Sequence, residues 1–460
     1  MVESVAIPEK LSRYVVISDN VYGGPDGPVR VLYSTRTASA ACLPTADVDG
    51  LREGDFDRIP AATMAALRSI EVLVDADEDE RTAILDRQRD ACAAEGDLRY
   101  VLLPSRYCNM GCGYCGQEHL RGGLGADHRA AVSARVLARI EAPTTESVVI
   151  SWFGAEPMMG YPVLRGLSRS FIEAADRCDV EYYARMVANG TLLNLERLRV
   201  LRSECRIDRY DITIDGPKEI HDTHRPLKGG GGSFDHIVRI VQEALADDEL
   251  ADVEFTLRTN IDVQNVAWVD EYIDLMAGHG FTDDRVIFNL APVYSWGNDV
   301  SKVEIPRRDY ARRETAWMQR MSEYGMRFFA LPTSPVGQLC AAVTPSTEIV
   351  SSSGNLFSCS EYPLVPQYEA TGGLGRITEL PLAERRPLGP FDDWHDAIAA
   401  GETPCHGCPL MPVCGGACPK QWREGAVPCP PIKYAMQERL DLVARMSGMD
   451  VDGRLTATHA

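Results

Sequence analysis

No stretch of the 460 residues approaches the apolar length needed to cross a bilayer, so no membrane partner is expected. Basic residues are in deficit: Lys and Arg total 47 against 67 for Asp and Glu, a formal net charge of −20. Clustered basic surface is what neutralises phosphates, so an acidic chain of this kind is not expected to bind nucleic acid. The opening MVESVAIPEKL has no basic segment followed by an apolar core; no secretory signal is expected and the chain is read as cytoplasmic. Internal repeats and long low-complexity tracts are also missing. What is present is the balance of a folded protein, 45% hydrophobic and 25% charged, which excludes disorder as a whole-chain description. At about 150 residues per domain, two or three domains are expected.

Cysteine is plentiful, at 14 residues. In a reducing compartment, metal binding or catalysis is the leading use for so many thiols. They are also unevenly placed. Three lie within 108–115 and seven fall between 340 and 429, while Cys42, Cys92, Cys178 and Cys205 are scattered and read as core packing.

Residues 1–96 form a first unit, with strand-like runs at 14–18, 29–34 and 38–43 and helical patterns at 62–73 and 79–93. The acidic run 75–80 is expected to be a solvated start to the last helix, its carboxylates opposing the helix dipole. From 97 to 330 strands alternate with helices. The strand runs are 100–104, 147–153, 181–187, 209–214, 253–259 and 286–291. Helical patterns fall at 129–140, 162–176, 195–204, 234–246, 266–277 and 307–324. Six βα units predict an α/β fold, a partial (β/α)6 TIM-like barrel open on one side, with its chemistry where strands end and loops begin. Between 331 and 432 the periodicity collapses into Gly, Pro and Cys, a composition that needs metal cross-links to hold a fold. A helix at 434–446 and a polar, disordered tail are expected in the last unit, 433–460.

The segment SRYCNMGCGYCGQEH places Cys108, Cys112 and Cys115 in a C-x3-C-x2-C loop directly after the first strand of the barrel. Thiolates are the usual ligands of iron–sulfur clusters, and three cysteines on a short loop leave the fourth iron of a cubane open to an external chelator. A structural zinc site would want four protein ligands, and only His119 lies near enough to be considered.

This loop resembles that of the radical S-adenosylmethionine (SAM) enzymes. The resemblance implies a [4Fe–4S] cluster that binds SAM at its open iron and cleaves it to a 5′-deoxyadenosyl radical, which abstracts hydrogen from a C–H bond. Motifs at the following strand ends fit the same family. Gly154-Ala155-Glu156-Pro157 resembles its GGEP segment, with Ala155 where a second glycine is usual and a compatible φ therefore required. Asn189 ends the third strand, and Thr213-Ile214-Asp215-Gly216 resembles S-x-D-G. Arg258 and Asn260 form an R-x-N pattern, and with Tyr114 of the cysteine loop these residues are the implied SAM contacts. His221 and His224 lack a third ligand and read as polar packing, while Gly229–Gly232 lacks the Lys and preceding strand of a phosphate loop.

The later cysteines, Cys340, Cys359, Cys405, Cys408, Cys414, Cys418 and Cys429, resemble a SPASM domain. That likeness implies one auxiliary [4Fe–4S] cluster on Cys405, Cys408, Cys414 and Cys429 and another on Cys340, Cys359 and Cys418, three clusters in all. Gly354, after strand-like 347–351, reads as a hairpin turn that returns Cys359 toward Cys340. The stretch after Cys340 offers no eighth cysteine, which leaves that cluster with an open iron for a substrate thiolate or with a ligand such as Ser346. The 1–96 unit is similar to a winged-helix element that captures leader peptides by strand addition. The implied function is maturation of a ribosomally made precursor peptide by an intrapeptide thioether or carbon–carbon cross-link, with flavodoxin or ferredoxin as electron donor. The alternative is a formylglycine-forming enzyme of the anaerobic sulfatase-maturase type, or another SPASM enzyme acting on a protein or small molecule. In it Glu361 would serve as base, where those enzymes carry an aspartate directly after the cysteine matching Cys359.

Overall fold

The computed structural model describes residues 8–295 and 297–449. The expected start and polar tail lie largely outside them. The chain opens with β1 (Glu9–Leu11), which pairs antiparallel with β6 (Leu73–Asp75). Between these come β2 (Val15–Ile17), β3 (Tyr22–Gly24), β4 (Gly27–Ser34) and β5 (Ser39–Pro44), an antiparallel sheet in which β4 is central. Helices Thr45–Glu53, Ala61–Ser69 and Glu80–Ala93 follow, the first of them unforeseen. The acidic run opens the last helix as expected, with Asp75, Asp77 and Asp79 exposed, but its other two carboxylates are not solvated. Glu78 and Glu80 close on the buried Arg36 guanidinium, and Glu80 also accepts hydrogen bonds from Ser12 and the Arg13 backbone. Asp79 caps the helix through the backbone N–H groups of Arg81 and Thr82.

Six parallel strands come next in sequential order: β7 (Asp97–Leu102), β8 (Ser147–Trp152), β9 (Glu181–Ala188), β10 (Ile207–Thr213), β11 (Glu254–Ile261) and β12 (Val286–Pro292). β12 is an edge, so the sheet stays open on that side as expected. Alternation fixes which face each side chain takes. On β9, Tyr182, Ala184, Met186 and Ala188 are buried under helices, while Arg185 and Val187 face the lumen. The covering helices carry the matching stripe; in Tyr161–Cys178 it is Leu164, Leu167, Ser168, Phe171, Ala174 and Ala175, at helical spacing. Burying a side chain such as Phe171 contributes roughly 1.5–3 kcal/mol.

The sheet does not stop at the barrel. β13 (Thr347–Val350) lies parallel to β7, and β14 (Asn355–Phe357) and β15 (Gly375–Arg376) extend the ladder antiparallel, nine strands in all. Gly354 turns the β13–β14 hairpin at φ +81°, as the sequence leads one to expect. A buried ion triad locks this junction. Glu348 on β13 takes Arg135 in a bidentate pair, at 2.7 and 2.8 Å, and Arg139 at 2.6 Å. Helix Met436–Met446 closes the described chain and packs on helix Arg307–Glu323, with Arg439 on Glu314. Of the four scattered cysteines, Cys92 and Cys205 are buried. Cys42 and Cys178 are exposed, against the core-packing expectation, because Cys42 is on the outer face of β5 and Cys178 ends its helix.

Candidate active site

Loop residues 105–125 leave the C-terminal end of β7 and carry the three cysteines. The loop is stitched to the next strand ends from both sides. The Asn189 side-chain amide donates to Asn109 Oδ1 at 2.8 Å and lies 3.6 Å from Cys108 Sγ, and Asn109 in turn donates to Thr191. On the other flank, Gly111 N–H donates to Pro226 O, and Lys228 N–H to Asn109 O. The three thiols are close enough that Cys112 acts on both Cys108 and Cys115. Burial pushes Cys108 up to about 11 and raises Cys112 and Cys115 too, so ligation of iron by these groups goes with proton release.

Among the described residues, no three Cys, His, Asp or Glu side chains converge on a point where a single metal ion would sit. Cys115 Sγ has one His nitrogen near it, His119 Nε2 at 3.9 Å, whose other nitrogen is 3.0 Å from Lys228 Nζ. Thiols that are neighbours without converging suit a multi-iron cluster better than one zinc ion.

Tyr114 is the hub behind the loop. Its hydroxyl donates to Asp215 Oδ2 at 2.7 Å and accepts from Asn260 Nδ2 at 2.9 Å and from Arg225. Asp215 is wholly buried and fully engaged: Oδ1 accepts from Asn260 N–H at 2.8 Å, and Oδ2 also meets His224 Nδ1 at 3.0 Å. His224 Nε2 is 3.0 Å from Asp262, and His221 Nδ1 accepts from the Asp215 N–H. The two histidines are polar packing, as their sequence context implies, but packing that fixes Asp215. Burial opposes charge on His224, yet its two carboxylates prevail and hold it up to about 9. Its ordinary value is 6.5, so the charged form stabilises the fold fully below that pH, and the contribution is lost as pH rises through about 9. The unfolding free-energy gap between the native protein and His224→Asn is therefore expected to narrow from about pH 6 to about pH 10, measured by denaturant titration. A constant gap would remove the charged histidine.

Glu156 is likewise buried, with Oε1 accepting from Met158 N–H and Oε2 from Asn189 N–H at 2.7 Å. Burial pushes its carboxyl up to about 7, against those two bonds. It ties the β8 end to the β9 end. Gly154 and Ala155 both take left-handed backbone, at φ +82° and +47°. At Gly154 a Cβ would sit 2.4 Å from Leu103, so no side chain is tolerated. At Ala155 the left-handed φ carries strain that glycine would relieve. Ala155→Gly is expected to raise unfolding free energy by about 1 kcal/mol in denaturant titration; a loss would mean that the Ala155 methyl packs usefully.

These elements surround a cavity of about 510 Å3. Tyr114, Cys115, Arg258 and Asn260 line it from the barrel, and Glu361 and Val365 from the cysteine-rich segment. Contact between the two is direct, since Glu118 N–H donates to Leu364 O at 2.6 Å. Glu156, Asn189, Thr213 and Asp215 do not line the cavity; they are buried behind it. Burial raises the Glu361 carboxyl, with Arg258 and Lys420 pulling the other way. Sequence reasoning missed Gln117, whose Oε1 accepts from Ala155 N–H, and Asp211, which faces the lumen near Arg258 and Arg185. A charge inside a strand pattern was the available signal for Asp211.

The remaining cysteines form two groups. Cys405, Cys408, Cys414 and Cys429 line one small cavity with Lys433, and burial pushes Cys414 up to about 12. Cys359 and Cys340 are neighbours of each other and of Cys418. No cysteine is in a disulfide.

Residues 102–248 match the Radical SAM superfamily. The chain carries a radical SAM domain. That domain implies a [4Fe–4S] cluster and SAM, and the loop of three neighbouring thiols beside a cavity fits both. Among solved structures, native anSMEcpe with bound AdoMet and Kp18Cys peptide is similar at 18% identity and a TM-score of 0.57, covering 76% of this chain and 99% of that one. This likeness shows the fold around the radical SAM domain. Streptococcus suis SuiB bound to precursor peptide SuiA is similar at 13% identity and a TM-score of 0.47, covering 92% of this chain and 98% of that one. An uncharacterized protein of Synechocystis sp. is 23% identical over 202 residues, 41% of this chain. The chain spans about half the length of that relative, 47%. Among the described residues no helix is long and apolar enough to cross a membrane.

Proposed function

We propose that this chain is a radical SAM peptide maturase whose reaction takes place in the 510 Å3 cavity between the barrel and the cysteine-rich segment. The observation that carries the reading is the cavity's composition: a cysteine of the three-thiol loop on one wall and Glu361, two residues past Cys359, on the other. When bound, the cluster and SAM supply a 5′-deoxyadenosyl radical for hydrogen abstraction. Cys108, Cys112 and Cys115 hold the cluster. The Gly154–Ala155 turn, Tyr114, Arg258 and Asn260 hold SAM. Glu156, Asn189, Thr213 and Asp215 keep those groups in place from behind, each buried. Arg258 and Asp211 supply polar groups on the lumen side for a peptide.

Cys405, Cys408, Cys414 and Cys429 would hold one auxiliary cluster and Cys340, Cys359 and Cys418 another, which would accept the electron the substrate gives up after hydrogen abstraction, as it becomes product. The antiparallel sheet of the first unit presents β5 as an edge strand, suited to pairing with a leader segment. anSMEcpe is seen with AdoMet and a peptide together, which is the arrangement proposed here. A flavodoxin or ferredoxin would supply the electron, and the product would be a thioether or carbon–carbon cross-link.

Glu361 supports a second reading, formylglycine formation on a Cys or Ser, because its carboxyl reaches the same cavity. Anaerobic reconstitution with SAM and a strong reductant is expected to give 5′-deoxyadenosine, and a pure electron carrier would give none. Mass analysis of a peptide co-expressed with the enzyme separates the two readings. A cross-link loses hydrogen alone and leaves no aldehyde; formylglycine from cysteine also loses sulfur, and from either Cys or Ser it carries an aldehyde that a hydrazide probe captures.

A further inference from the structure

Cys92 ends the helix Glu80–Ala93 and is only 4% exposed. Its thiol lies against the loop that carries Cys340. Sγ donates to the Gly337 carbonyl oxygen at 3.7 Å, and the Thr344 hydroxyl donates to Sγ at 3.6 Å, so Cys340 stands between the two points of contact. The Gln338 side-chain amide adds a clasp, donating to Ala91 O at 3.1 Å. Thr344 O accepts from Thr347 N–H at 2.9 Å. The hairpin register, in which Ile349 faces Phe357, sets Cys359 across from Thr347 when continued by two residues. Cys92, Ala342, Val343 and Cys359 belong to one packed cluster. Both Cys92 and Cys418 act on the Cys340 thiol, though burial is the larger influence there.

Cys340, Cys359 and Cys418 offer three thiolates where cysteine-ligated cubanes use four. We infer that Cys92 is the fourth protein ligand of the iron–sulfur cluster at Cys340, Cys359 and Cys418. Ligation exchanges the S–H bond for S–Fe, with the proton passing to solvent and no change of oxidation state. Ser346, whose buried Oγ has no hydrogen-bond partner, offers only a hard hydroxyl where soft thiolates select such clusters. The consequence is a coordinatively closed auxiliary cluster. A substrate thiolate has no iron to bind there, so this cluster carries electrons only, and it fastens the first unit of the chain to the cysteine-rich segment.

The inference rests on the auxiliary-cluster reading above, and its test keeps the two apart. The full chain with Cys108→Ala, Cys112→Ala and Cys115→Ala is reconstituted anaerobically and is expected to hold about eight irons. Adding Cys92→Ala is expected to make one iron labile: ferricyanide gives a [3Fe–4S] electron paramagnetic resonance signal that the parent lacks, and the count falls to about seven. Cys92→Ser, which preserves packing, is expected to keep the iron and shift the resonance of one reduced cluster; it decides the matter if the alanine variant unfolds. Spectra and iron content identical to the parent's in the folded variants would overturn the assignment. A parent holding about four irons would remove the cluster itself and the inference with it, while 5′-deoxyadenosine formed by the intact protein would leave the radical SAM reading standing.

Discussion

Cys112→Ala is expected to abolish 5′-deoxyadenosine formation and to lower bound iron from about twelve to about eight per chain. Cys112 is the middle thiol of the loop and the one that acts on both of its neighbours. Without it two thiolates remain, half the usual protein ligation of a cubane and one fewer than the loop offers. The bonds from Gly111 N–H to Pro226 O and from Lys228 N–H to Asn109 O hold the loop backbone independently of any thiol, so the variant is expected to fold. The two other thiol groups lie on separate segments and should keep their iron. Iron and sulfide analysis, together with chromatography of the nucleoside product, checks the prediction. Twelve irons with undiminished product would mean that the loop is not the cluster site.

Glu348→Ala is the second large effect, this time on stability. Glu348 is 0% exposed and neutralises Arg135 and Arg139, whose side chains are 1% and 6% exposed. Removing one partner of a buried ion group leaves uncompensated charge in a poorly solvated place, and the loss is expected to be about 3–5 kcal/mol by denaturant unfolding. Carbonyl oxygens of Pro381 and Glu384 also accept from Arg135, which restrains the guanidinium from turning out to water. Replacing all three ionic residues by apolar ones of similar size should cost far less, because no charge is then left buried. A loss below about 1 kcal/mol for Glu348→Ala alone would show that water reaches the arginines.

The barrel was legible in the sequence because each of its elements is long enough to show a period. The six strand runs and their helices fall within a few residues of the observed ones, from β8 at Ser147–Trp152 to the helix at Arg307–Glu323. Elements of three residues, such as β1, β3 and β6, have no period to read. The helix Lys218–His224 was hidden by its polarity, KEIHDTH, and it is this helix that sets His221 and His224 against Asp215. The cysteine loop was readable from spacing alone, whereas its support was not. Tyr114, Asp215 and Arg225 meet across 111 positions of chain, and only the closure of β10 and β11 onto the loop brings them together. The same holds for the charge on Glu80. Its run looked like a solvated helix start because the partner, Arg36, is a distant strand-end residue.

The ladder between β7 and β13 has a kinetic meaning. β7 leads directly into the first group of thiols, and β13 opens the hairpin that returns to Cys359. Continuous backbone hydrogen bonds therefore tie the strand that enters the Cys108–Cys115 loop to the hairpin that returns to Cys359, so strand register sets how far apart these two thiol groups stand. Were both groups to hold clusters as proposed, electrons would pass between them over a fixed span.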